Sequence, residues 1–106
     1  MVVKSINSKS EWDSLIAEGK PVLVDFYATW CGPCKAISPM FQQHSENTAF
    51  EGVTFVKVDV DALPDVAAEN GIRAMPTFVL FKDGAKVDEL LGANPNGLKT
   101  LVEKST

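Results

Sequence analysis

Cys31 and Cys34 are the only cysteines in this chain of 106 residues, and just two residues separate them. Such a pair can exchange with a disulfide or supply half of a metal site. As a structural staple it is poorly placed. In the chain-entropy model a four-residue loop contributes about 2 kcal/mol, against ~3 kcal/mol for fifteen residues. A structural zinc takes four ligands. The only histidine, His44, stands ten residues beyond Cys34, about 15 Å along a helix, so it cannot close a site with this pair. With no further cysteine, the pair reads as a redox dithiol and no metal is expected.

The flanking residues suit that chemistry. Trp30-Cys31-Gly32-Pro33-Cys34 lies where an apolar run, Val22 to Tyr27, feeds a helical pattern. The first turn of a helix has free N–H groups and the positive end of the macrodipole. A thiolate at Cys31 is stabilised there, which raises its reactive fraction. Cys34 falls one turn on, within reach of a disulfide. Gly32 is expected to allow a tight approach, and Pro33 to occupy an early helical position without losing a hydrogen bond.

The rest of the chain supplies the frame. Val2 to Ile6 is a short strand candidate. Ser8 and Glu11 form a capping box for a first helix that buries Trp12, Leu15 and Ile16 and ends at Gly19. Val22 to Tyr27 is apolar on both faces except at Asp25, as in a strand covered on both sides. The second helix carries Ile37, Met40 and Phe41 as its apolar stripe, with Pro39 expected to kink it. Val53 to Val60 is a strand, and Pro64 to Asn70 a short helix closed by Gly71. Thr77 to Lys82 and Lys86 to Leu91 form a hairpin across Asp83-Gly84. Asn94-Pro95 opens a last helix that buries Leu98, Leu101 and Val102. This alternation implies an α/β domain spanning 1–106, with a mixed sheet and helices on both faces.

Composition narrows the function. The formal net charge is −4 and the ten basic residues are scattered, which argues against nucleic acid and against a polybasic membrane anchor. No apolar run approaches the roughly 18–20 residues of a membrane span. The first residues lack the basic, apolar and small-residue regions of a signal peptide. A cytoplasmic location is the expectation.

Ala28-Thr29-Trp30-Cys31-Gly32-Pro33-Cys34-Lys35 closely resembles the active-site segment of the thioredoxin family. The resemblance extends through Asp25, Pro39, Lys57, Ala74-Met75-Pro76-Thr77-Phe78, Asp83-Gly84 and Gly92. Gly32-Pro33 separates the chain from glutaredoxins, with Pro-Tyr there, and from disulfide isomerases, with Gly-His. The resemblance implies a thioredoxin fold: a five-stranded mixed β-sheet, order 1-3-2-4-5, flanked by four α-helices. It implies a protein-disulfide reductase in which Cys31 attacks and Cys34 resolves. No cofactor binds the chain itself. A thioredoxin reductase drawing on NADPH restores the dithiol. Peroxiredoxins, methionine sulfoxide reductases and ribonucleotide reductase are the implied targets, and a monomer the expected form. Asp25 is implied as the buried acid beneath Cys34, with Lys57 tuning it. Met75-Pro76 is implied as a cis-proline platform that completes a substrate surface with Trp30, Gly92 and Ala93.

Trp12, at helical spacing, reads as core. His44 departs from the family pattern. It falls at i+7 from Ile37, a position usually apolar there, and reads as a half-buried neutral histidine at the core edge, with a pH-sensing role the remote alternative. Two other functions share the fold, a redox-independent binding module and a disulfide oxidase or isomerase. Retention of both cysteines, Asp25 and Met75-Pro76 favours reduction over the first, and Gly32-Pro33 favours it over the second.

Overall fold

The computed structural model describes residues 2–106. In chain order the elements are β1 (Lys4–Ser5), α1 (Lys9–Ala17), β2 (Val22–Tyr27), α2 (Gly32–Glu46), a 3₁₀ turn (Thr48–Phe50), β3 (Thr54–Asp59), α3 (Pro64–Glu69), β4 (Thr77–Lys82), β5 (Ala85–Leu91) and α4 (Pro95–Lys104). The sheet runs β1-β3-β2-β4-β5. β1, β3 and β2 are parallel, while β4 and β5 add antiparallel neighbours. This is the thioredoxin fold expected from the resemblance. β1 is shorter than the Val2 to Ile6 run, and Ile6 continues it with one N–H bond to Lys57 O at 3.0 Å.

Strand alternation divides the core into two faces. Val22, Val24 and Phe26 of β2 join Val56, Val58, Val79 and Phe81 beneath Trp12 of α1 and Val66 of α3. Trp12 stands edge-on to Phe81, with ring centroids 5.5 Å apart, which fixes it as a packing residue. Leu23 faces the other way, with Phe55, Phe78 and Leu80, against Ile37 and Phe41 of α2 and Leu98, Leu101 and Val102 of α4. Asp25 and Tyr27 share the Leu23 face by period, so a carboxylate lies under α2.

Local chemistry fixes the boundaries. Ser8 Oγ accepts the Glu11 N–H at 3.0 Å, as in a capping box. Glu11 reaches back one residue further than expected, accepting the Asn7 N–H at 2.7 Å. Asn94 Oδ1 caps α4 by accepting the Gly97 N–H at 3.0 Å. Asp83 and Gly84 both have positive φ, 56° and 78°, the pairing a two-residue hairpin turn requires. α2 continues through Pro39 to Glu46.

Candidate active site

Cys31 is the N-cap of α2, and its sulfur accepts the Cys34 N–H at 3.1 Å. Pro33 stands in the first turn, where its missing N–H costs nothing. The two cysteines form a disulfide with Cα atoms 5.3 Å apart. Both are buried, in a small cluster with Ala28 that Tyr27, Val60 and Met75 flank. Gly32 corrects an expectation. A Cβ there would meet nothing within 4 Å, and its φ is not positive. The fold does not demand glycine for a tight approach within the chain, and the space over Gly32 is open.

The Met75–Pro76 loop lies beside this disulfide, and Gly92 is tied to that loop. The Met75–Pro76 peptide is cis, and the Met75 carbonyl oxygen lies 3.6 Å from Cys31 Sγ. Thr77 Oγ1 donates to Ala74 O at 2.6 Å, bracing the loop from below. Gly92, at φ 93°, donates its N–H to Pro76 O at 2.9 Å, tying the end of β5 to the proline loop. Ala93 follows, exposed. Trp30 is 68% exposed, yet its indole is tethered, with Nε1–H donating to Asp61 Oδ2 at 2.9 Å.

Behind the disulfide lies a cavity of about 370 Å³ lined by Asp25, Tyr27, Cys34, Ser38, Pro39 and Lys57, among others. Asp25 is 4% exposed, and its Oδ1 has no hydrogen-bond partner among the described residues. Burial pushes its pKa up to about 7, against the opposing pull of the Lys57 charge. Lys57 is the register partner of Asp25 on β3. Asp25, Cys34 and Lys57 therefore meet at one cavity.

His44 is half-buried on α2, its ring 6.2 Å from that of Phe50. Burial lowers its pKa, Lys99 lowers it further, and Glu103 opposes them. It lies apart from the disulfide cluster. Among the described residues no group of three His, Cys, Asp or Glu side chains could hold a metal. No helix among them is long and apolar enough to cross a membrane.

Sequence reasoning missed Asp61, and it set Tyr27 on the Asp25 face without foreseeing that Lys57 Nζ lies over its ring. The signal for Asp61 was positional: β2 and β3 are parallel neighbours, so residues just past their C-terminal ends come together, and Trp30 and Asp61 are such residues.

The family model described as Thioredoxin matches residues 2–104. Thioredoxin of Coprinus comatus is 50% identical over 104 residues, covering 98% of each chain. Thioredoxin-1 of Schizosaccharomyces pombe is 51% identical over 102 residues, covering 96% of this chain and 97% of that one. The crystal structure of Malassezia sympodialis thioredoxin superposes with a TM-score of 0.93 at 46% identity, covering 98% of this chain and 91% of that one. A redox disulfide at the N-terminus of α2, on a five-stranded mixed sheet, defines a thiol–disulfide oxidoreductase. The chain belongs to the thioredoxin family.

Proposed function

We propose that this chain works in the reducing direction, delivering two electrons at a time to disulfides of other proteins. Gly32-Pro33 between the cysteines favours the reducing direction, and the exchange chemistry rests on the setting of Cys31 Sγ, which faces the Cys34 N–H at 3.1 Å and the Met75 carbonyl at 3.6 Å. An N–H donor and a helix N-terminus stabilise a thiolate there. The Met75 backbone offers an extended substrate segment an edge to pair with.

In the first step the Cys31 thiolate attacks one sulfur of the target disulfide. A mixed disulfide forms, and the other target sulfur leaves as a thiolate that takes a proton from solvent. In the second step Cys34 loses its proton to Asp25 and attacks Cys31 Sγ. The Cys31–Cys34 disulfide forms as the bond between Cys31 and the target breaks, and the second target sulfur leaves as a thiolate that takes a proton from solvent. The target is reduced by two electrons and the chain is oxidised by two. Burial supports the role of Asp25, since a carboxyl that titrates near 7 gives and takes protons readily at neutral pH. Lys57 tunes that carboxyl. Trp30, Met75, Pro76, Gly92 and Ala93 form the docking surface, with Gly32 and Pro33 at its centre.

In this reading a thioredoxin reductase using NADPH restores the dithiol after each turnover. Peroxiredoxins, methionine sulfoxide reductases and ribonucleotide reductase present disulfides of the kind this site would take. The reading suits a monomeric protein in the reducing cytoplasm. The test is reduction of insulin disulfides by the purified chain with NADPH and a thioredoxin reductase, beside Cys31→Ser. Turnover that vanishes in the variant supports the proposal. Absence of turnover with several reductases overturns it.

A further inference from the structure

Four side chains form a two-by-two block on the α2 side of the sheet. β2 contributes Asp25 and Tyr27, β3 contributes Lys57 and Asp59, and the parallel register sets Asp25 beside Lys57 and Tyr27 beside Asp59. Period-2 alternation puts all four on one face. Lys57 thus has two carboxylates within its reach, one across the strands and one along its own. It forms an ion pair with neither among the described residues. Its Nζ lies over the Tyr27 ring instead, 5.6 Å from the centroid. Asp59 is occupied, its Oδ1 accepting the N–H groups of Asp61 at 2.9 Å and Ala62 at 3.4 Å. Asp25 Oδ1 is not.

We propose that Tyr27 is a positioning residue for the redox centre: its ring holds the Lys57 ammonium and so sets how closely that charge approaches the Asp25 carboxylate. The ring quadrupole attracts an ammonium over its face, more strongly where water is partly excluded, and Lys57 and Tyr27 are both half-buried. From its place over the ring, Lys57 acts on Asp25 through space. Without the ring, its flexible stem is free to carry the ammonium toward the unpartnered Oδ1. The other charge facing the cavity is Lys35 of α2, while β4 presents uncharged Phe78 opposite Asp25. Tyr27 therefore governs the balance between burial and charge that fixes where Asp25 titrates.

The consequence for turnover rests on the role proposed above for Asp25, but the electrostatic relationship does not. The test follows the Asp25 carboxyl by carbon-13 NMR across pH in the oxidised protein, where neither cysteine titrates. Tyr27→Phe keeps the ring and leaves the midpoint unchanged. Tyr27→Leu lowers it by about half a pH unit or more. In a Lys57→Met background, Tyr27→Leu lowers it no further. Tyr27→Val, ringless but strand-favouring, replaces the leucine variant if that one does not fold. A midpoint that stays put or rises on loss of the ring overturns the proposal. So does an equal fall in the Lys57→Met background, because water entering the cavity would then be the cause. Insulin turnover measured in parallel reports on the function separately: its absence in every protein, the unsubstituted chain included, would count against the reductase reading while the titration still decides the role of Tyr27.

Discussion

The backbone N–H of Cys34 points at the sulfur of Cys31 across 3.1 Å. This donor is one of the unpaired N–H groups of the first turn of α2, and the chain spends it on sulfur rather than on water. In the dithiol state the same donor faces a thiolate. Cys34 has no equivalent, because it lies within α2 rather than at its N-cap. The reduced protein should therefore alkylate first at Cys31. With iodoacetamide at pH 7 and peptide mass spectrometry, the rate at Cys31 is expected to exceed that at Cys34 by about tenfold or more. Equal rates would remove the helix N-terminus as the source of asymmetry.

Asp25 predicts an unusual pH dependence of stability. Burial raises its pKa from 3.8, the ordinary value for an aspartate, to about 7 in the fold. Between those values the folded chain holds a proton that the unfolded chain has released. Stability therefore falls as pH rises through that window and levels off above the folded value. The difference of about 3 pH units corresponds to about 4 kcal/mol. Asp25→Ala should be more stable than the parent at pH 8 by up to about that amount, with the gain shrinking toward pH 4. Urea denaturation at pH 8 and at pH 5 checks it, and a gain independent of pH would contradict the burial of a titrating carboxyl.

The same carboxyl has a kinetic signature. Asp25→Asn keeps the shape and removes the proton acceptor behind Cys34. A mixed disulfide trapped on Cys31 should then resolve more slowly, by about a hundredfold at pH 8, while its formation is little changed. Stopped-flow with a chromogenic disulfide separates the two steps. Slowing confined to the first step would assign Asp25 to the nucleophile instead.

Much of this was legible in the sequence because the relevant signals are local or periodic. The alternation of Val22, Leu23, Val24 and Asp25 already places the carboxylate on a covered strand, and Cys31 through Cys34 announces a helix start. The Ser8 and Asn94 caps are likewise written in adjacent residues. What escaped depends on register between strands. The register of β2 and β3 sets Lys57 opposite Asp25; that its ammonium lies over Tyr27 depends also on the path of the side chain, and neither strand specifies either alone. Trp30 and Asp61 meet for the same reason. The 3₁₀ turn Thr48–Phe50 was hidden because its cap, Asn47 Oδ1 accepting from Ala49 N–H at 2.9 Å, lies in a stretch without periodicity. The openness around Gly32 is a tertiary fact, since glycine in a sequence does not say whether space is needed inside the fold or outside it.

Asn94 offers a test of scaffold against site. Its Oδ1 caps α4 through Gly97, and α4 packs on the Leu23 face through Leu98, Leu101 and Val102. Asn94→Ala should cost about 1 kcal/mol and lower Tm by about 4–8 °C for a domain this size, with the alkylation rate of Cys31 unchanged. Calorimetry beside the alkylation assay checks both halves. A change in Cys31 reactivity would show that the cap also positions the Gly92 loop.

His44 should shape the acid limb of stability in the opposite sense to Asp25. Its folded pKa is lowered, first by burial and then by Lys99, with Glu103 opposing. The unfolded chain therefore takes up a proton at a higher pH than the folded chain does. That contribution to stability is complete above about 6.5 and is lost as pH falls below it. Asp25 gains stability over part of the same range, so the parent curve alone mixes the two. The difference between His44→Leu and the parent isolates the histidine, because Asp25 is common to both. Leucine suits a half-buried position beside Phe50, so the variant should gain on the parent as pH drops from 7.5 to 5.5 in urea titrations. A difference that stays constant across that interval would mean that His44 protonates in the folded chain as readily as in the unfolded one, and that its place against Phe50 imposes no cost on the charge.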